Sequence, residues 1–206
     1  MRFIKTSRDG LRKWRWQFAV RQLRTAYEAA RSAIDDDLRR IDKEHEKFRR
    51  AAKPDPEDYD KVESHRAWED HLIDRYDEAK AALAAIKQGF AVILYHSWER
   101  YSTEWAEWKG KYRHHHVAPR LVKAGYLVAD GVHKLNKVAN CIKHSSDELW
   151  KQKDCRMMFE PIVAQMKAED IEPDYARYLI LTDADMDEFF DALTESGPPG
   201  PATPGL

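Results

Sequence analysis

Residues 23–50 read LRTAYEAARSAIDDDLRRIDKEHEKFRR, and this stretch decides the fold. Leu23, Tyr27, Ala30, Ile34, Leu38, Ile41, His45 and Phe48 follow one another in steps of 4, 3, 4, 4, 3, 4 and 3. That spacing keeps one side of an α-helix apolar while Arg, Asp, Lys and Glu occupy the other sides. No glycine lies between Gly10 and Gly89, and the only prolines in that interval are Pro54 and Pro56. Both residue types interrupt helices, so their scarcity permits two long ones. The first is expected from about Asp9 to Arg50. The second reads LIDRYDEAKAALAAIKQGFAVI over residues 72–93, with Leu72, Tyr76, Ala79, Leu83, Ile86, Phe90 and Ile93 in a heptad seam. Pro56 is placed in its first turn, with Asp55 as the cap. A short connection between two long amphipathic helices predicts an antiparallel hairpin.

Working outward, the residues after Gly89 become aromatic: Phe90, Tyr95, Trp98, Tyr101, Trp105 and Trp108 fall in one stretch. Such a helix is buried on more than one side and is expected to end near Gly110. A further helical segment runs from Pro119 to about His144, weakened at Gly125 and Gly131, with Val128, Val132, Leu135, Ala139 and Ile142 inward. Ser145 and Glu148 have capping-box spacing, which predicts a short helix through Trp150. Tyr178 to Thr182 is a short apolar run that reads as a single strand or an extended segment. Asp183 or Asp185 is expected to cap a last helix carrying Met186, Phe189, Phe190 and Leu193. The Pro/Gly tail, GPPGPATPGL, is expected to be disordered or extended. The predicted fold is therefore all-α. A long antiparallel hairpin (1–87) is followed by a helical bundle (88–155), an appendage of helix and strand (156–196) and a tail (197–206).

Composition excludes several classes. The chain has 206 residues, of which 34% are charged, and 35 basic residues against 36 acidic ones give a net charge of −1. A globally basic nucleic-acid coat is thereby excluded, although local patches are not. The seven Trp, nine Tyr and seven Phe argue against a disordered chain. No run of apolar residues approaches a membrane span, and no membrane partner is expected. The start, MRFIKTSRDGLRKWRW, lacks the apolar core of a secretory signal. Cys141 and Cys155 are the only cysteines, too few for a disulfide framework, and read as reduced thiols in a cytoplasm. There is no Gly-rich phosphate loop, nucleophile elbow or paired zinc motif, and no cofactor is expected.

Chemistry concentrates in HKLNKVANCIKHSSDELW, residues 133–150. On a helix His133, Lys137, Asn140 and His144 share one side, roughly opposite the Val132, Leu135 and Ile142 side. Two imidazoles and a cation suit phosphodiester cleavage: a His takes or gives a proton, and a cation steadies the charge on phosphate. The same stripe is also what an ordinary solvated helix face looks like.

The string VANCIKHSSDELW, following a helix rich in Trp, Tyr and Glu, resembles bacterial all-helical proteins of the HEPN (higher eukaryotes and prokaryotes nucleotide-binding) family. The family signature is an arginine, four to six residues, then a histidine, usually with Asn or Asp directly after the arginine. His144 matches the histidine and Asn140 the polar residue; the arginine position is Ala139. Lys137, with six residues between it and His144, is the cation within the permitted spacing. Glu99 resembles the acidic residue on the family's earlier core helix. The resemblance, covering about residues 88–155, implies a metal-independent ribonuclease working as a homodimer in a toxin or phage-defence system. It makes His144, Asn140 and Lys137 the expected catalytic residues, with Glu99 in support. Lys143, His133, Arg100, Lys111 and Arg113 are the expected nucleic-acid contacts.

Other clusters carry weaker readings. His114, His115 and His116 point different ways on a helix, so no metal site is expected there. The basic turn Lys109 to His114, with Trp105 and Trp108, is a basic–aromatic patch of the kind that binds single-stranded RNA, and equally a buried Trp pair beside a loop. The N-terminal Arg2, Lys5, Arg8, Arg12, Lys13, Arg15, Arg21 and Arg24, interleaved with Trp14, Trp16 and Phe18, read as a helix surface first and a nucleic-acid patch second. The alternative to an RNA-acting protein is a non-catalytic interaction protein that meets a protein partner through its long hairpin.

Overall fold

A computed structural model describes residues 8–199 and is all-α. The elements are α1 (Arg8–Arg50), α2 (Tyr59–Trp105), α3 (His114–Lys123), α4 (Asp130–His144), a 3-10 turn (Lys153–Met158), α5 (Ile162–Ala168) and α6 (Asp183–Glu195). By their contacts the described residues form two units: 26–86, and 8–25 together with 87–199. The first eighteen described residues, read from sequence as part of the hairpin, thus belong with the C-terminal helices.

In the unit 26–86, α1 and α2 pack along the anticipated seam. Tyr27, Ile41, Leu72 and Ala79 are buried, and the Phe48 and His65 rings meet at a tilt, centroids 4.2 Å apart. An Arg75–Glu44 ion pair at 2.6 Å joins the two helices. The second helix starts later than expected. Asp55 caps only a turn, accepting from the Glu57 N–H at 3.0 Å, and Asp58 caps α2 by accepting from the Lys61 N–H at 3.3 Å.

The other unit is built around aromatic side chains. Trp16 is fully buried, edge-on to Trp98 at 5.9 Å and to Trp105 at 5.6 Å. Its indole N–H donates to the Leu193 carbonyl at 2.7 Å. Lys13 reaches the Glu195 and Ser196 carbonyls at 3.1 and 3.2 Å, so a cation closes the C-terminal end of α6 where the helix dipole is negative. On α4, Val132, Leu135, Val138, Ala139 and Cys141 are buried. Gly131 lets α4 approach α6: a Cβ there would meet the Ala192 Cβ at 2.7 Å. Lys134 adds ion pairs to Asp185 at 2.9 Å and Glu188 at 2.7 Å.

Several local expectations are corrected. The helix predicted to end near Gly110 stops at Trp105, and the segment before His144 divides at Gly125, whose φ of +82° ends α3. Ile93, expected in the seam, is 45% exposed. Ser145 starts no helix. It terminates α4 in the left-handed conformation, and its hydroxyl donates to Asp174 at 2.8 Å. Of the two readings of Tyr178 to Thr182, the strand does not form and the extended segment does: Leu179 makes one isolated bridge to Phe159, held by the Ile180 N–H on the Met158 carbonyl at 2.7 Å. Thr182, not either aspartate, caps α6, and Asp185 completes a capping box. Within the expected tail, Gly197 and Pro198 are buried, and Gly197 bridges Leu127. Residues 200–206 of that tail, and Arg2 and Lys5, lie outside the described residues.

Candidate functional site

A cavity of about 690 Å³ opens between α2, α3 and α4. From α4 it takes His133, Asn136, Lys137 and Asn140; from α2, Tyr95 and Glu99; from the α3 side, Tyr112, Arg113 and His114. Helical spacing explains the α4 set. Positions 133, 137 and 140 share one face, Asn136 sits beside them one residue back, and Val132, Leu135 and Val138 hold the opposite face in the core.

The centre of the cavity is a pair of imidazoles. His114 Nε2 lies 2.7 Å from His133 Nδ1, with the rings edge to face at 4.8 Å. His114 Nδ1 lies 3.3 Å from the Tyr112 hydroxyl. Tyr112 interacts in turn with the Tyr95 hydroxyl, which accepts from the Asn136 amide at 2.5 Å. Asn136 anchors this row by donating to Tyr95, and Tyr95, Tyr112, His114 and His133 continue it as a polar row that ends on the outward ring of His133. Burial, then His133, then His115 push the His114 pKa down to about 4. His114 is therefore neutral near pH 7, so one of its ring nitrogens stays an acceptor. Burial also raises the Tyr95 and Tyr112 hydroxyls, which stay protonated.

This arrangement can do acid–base work. With the His133 Nδ1–H donated to neutral His114, the outward Nε2 has a free lone pair and accepts a proton. The resulting imidazolium is then steadied by His114 and the tyrosine row behind it. Lys137 and Arg113 bring cations to the wall, while Glu99 and Glu148 bring carboxylates. Glu99 sits 2.6 Å from His96 Nδ1. Lys143 stands over the Tyr95 ring, 5.8 Å from its centroid.

Of the residues singled out from sequence, Lys137, Asn140, His133, Arg113 and Glu99 come together in the cavity. His144 does not line it; the ring is exposed on the final residue of α4. Arg100 is exposed and lies over its neighbour Tyr101 at 4.9 Å. Lys111 is exposed, and its carbonyl accepts from the Trp108 indole at 3.1 Å. The expected basic–aromatic patch near 105–114 is not assembled as one face: Trp105 is buried, and Trp108 stacks on His116 at 6.0 Å. Among the described residues no group of three or more His, Cys, Asp or Glu could hold a metal ion.

Sequence reasoning missed His114, Tyr95, Tyr112 and Asn136. Asn136 stood in the quoted segment, three residues after His133, where the same helix face continues. His114 was visible only as one of three consecutive histidines, and nothing in that triplet distinguishes the ring that α3 turns inward.

No family model, curated protein or solved structure matches this chain. No described helix is long and apolar enough to cross a membrane.

Proposed function

We propose that this chain is an RNA-directed protein of HEPN-like kind, with a metal-independent ribonuclease site in the α2–α3–α4 cavity. The observation carrying the reading is the imidazole pair: a half-buried, neutral His114 behind an outward His133, with Lys137 and Arg113 on the same wall. The 2′-hydroxyl of a ribose gives its proton to His133 Nε2 and attacks phosphorus. The bond to the 5′-oxygen breaks, that oxygen takes a proton from water at the open mouth, and a 2′,3′-cyclic phosphate results. Lys137 and Arg113 offset the charge on the phosphate. In this reading His133 takes the proton-transfer role that the family resemblance gives to His144. Asn140 is the polar contact in both. A homodimer in a toxin or defence system is the setting the resemblance implies.

Single variants separate the two histidines. His133→Ala is expected to lower cleavage of a single-stranded RNA by about 10²–10⁴-fold, with His144→Ala close to wild type and chelator without effect. Cleavage that survives His133→Ala and is lost in His144→Ala returns the role to His144. A wild-type protein that leaves all RNA intact removes the enzymatic reading.

A further inference from the structure

The first turns of α1 carry a surface that the cavity does not use. From Gly10 to Tyr27 the chain has five cations and no carboxylate. Three of the five are tied into the fold. Arg12 donates to the Tyr126 hydroxyl at 3.1 Å, Lys13 holds the end of α6, and Arg24 pairs with Asp191 at 2.6 Å. Arg15 and Arg21 are exposed and have no ion-pair partner among the described residues. At 100° per residue they flank a ridge of Leu11, Trp14 and Phe18 on the side of α1 opposite buried Trp16 and Val20. Trp14 is 57% and Phe18 46% exposed, and the two rings are stacked, 17° from parallel with centroids 5.6 Å apart.

Large aromatic side chains left in water beside unpaired guanidinium groups need a ligand that offers both flat apolar faces and anionic charge. Single-stranded RNA offers both: bases stack on the outer ring faces, and phosphates meet Arg15 and Arg21. A second copy of this chain fits poorly, because a two-fold contact on this ridge sets arginine against arginine. A bilayer fits less well than RNA. The apolar strip ends at Phe18, where Arg21, Gln22 and Thr25 continue the ridge, and interfacial binding scales with buried apolar area.

We infer that the Trp14–Phe18 ridge of α1, with Arg15 and Arg21, is a sequence-tolerant binding site for single-stranded RNA, distinct from the imidazole cavity. It rests on the RNA-directed reading for its ligand class and not on cleavage.

The test is fluorescence anisotropy with a 2′-O-methyl oligonucleotide, which cannot be cut through its 2′ positions. Wild type and His133→Ala are expected to bind it alike. Trp14→Ala with Phe18→Ala is expected to weaken binding at least about tenfold. Arg15→Gln with Arg21→Gln is expected to flatten the dependence of log affinity on log salt by about 1.4. Circular dichroism matched to wild type confirms that these exposed substitutions leave the helices intact. Unchanged affinity in the aromatic variant overturns the inference even if His133→Ala abolishes cleavage. Binding lost in the ridge variants while no RNA is ever cut leaves the ridge standing and removes the ribonuclease. Ridge variants that bind RNA normally but lose binding to phosphatidylserine-containing vesicles assign the surface to lipid and overturn the inference.

Discussion

His114 makes the stability of this protein depend on pH in a calculable way. Its ring is half-buried in the fold, and burial as the first cause pushes its pKa down from 6.5 to about 4. Well above pH 6.5 neither the folded nor the unfolded chain protonates this group, and it contributes nothing to pH dependence. Between pH 6.5 and 4 the unfolded chain binds a proton that the folded chain refuses, so stability falls as pH falls. The loss is about 2 kcal/mol by pH 4.5 and about 3 kcal/mol once both states are protonated. Carboxylates titrate over the same range, so the comparison is made against His114→Gln, which keeps a polar group and removes the titration. Urea unfolding of both proteins at pH 7 and pH 4.5 is the assay. Wild type should lose about 2 kcal/mol more than the variant over that interval. A proton NMR titration of the ring should find its midpoint near 4. His133→Ala should move that midpoint up only part of the way, because burial is the larger cause and the His133 charge the smaller. Equal acid losses in wild type and variant, or a ring that titrates near the ordinary histidine value, would refute the reasoning.

Two further outcomes test the packing that carries the site. Gly131→Ala gains helix propensity of about 1 kcal/mol but drives a methyl to 2.7 Å from the Ala192 Cβ. Overpacking costs about 1–3 kcal/mol, so the variant should be less stable in urea unfolding, with Ala192→Gly in the same chain restoring part of the loss. Thr182→Ala removes the hydroxyl of the α6 capping box and should lower the thermal midpoint by an amount equivalent to about 1 kcal/mol.

The long helices were legible because their signal is local. The 4 and 3 steps from Leu23 to Phe48 need no partner to be read, and the absence of Gly and Pro bounds them. The α4 stripe was legible for the same reason, and it places His133, Lys137 and Asn140 on the cavity wall. The ends were not. Ser145 and Glu148 have the spacing of a capping box, but Asp174, 29 residues away, takes the hydroxyl instead. Thr182 outcompeted two aspartates because its hydroxyl and the Asp185 carboxylate satisfy each other. The imidazole pair was hidden because His114 and His133 are 19 residues apart on different helices, a tertiary contact that periodicity does not encode. The Trp14, Trp16 and Phe18 triplet divides for a geometric reason. A step of two residues turns 200° around a helix, which sends Trp16 into the core and leaves its neighbours outside.

The bond from the Trp16 indole to the Leu193 carbonyl spans 177 residues. Translation at roughly 5–20 residues per second separates the two partners by roughly 10–35 s. Trp98 and Trp105 reach Trp16 about midway through that interval, and its indole N–H waits until the end for the Leu193 carbonyl. A segment made late thus completes the hydrogen bonding of one made early, so the aromatic core can gather before this buried indole is satisfied.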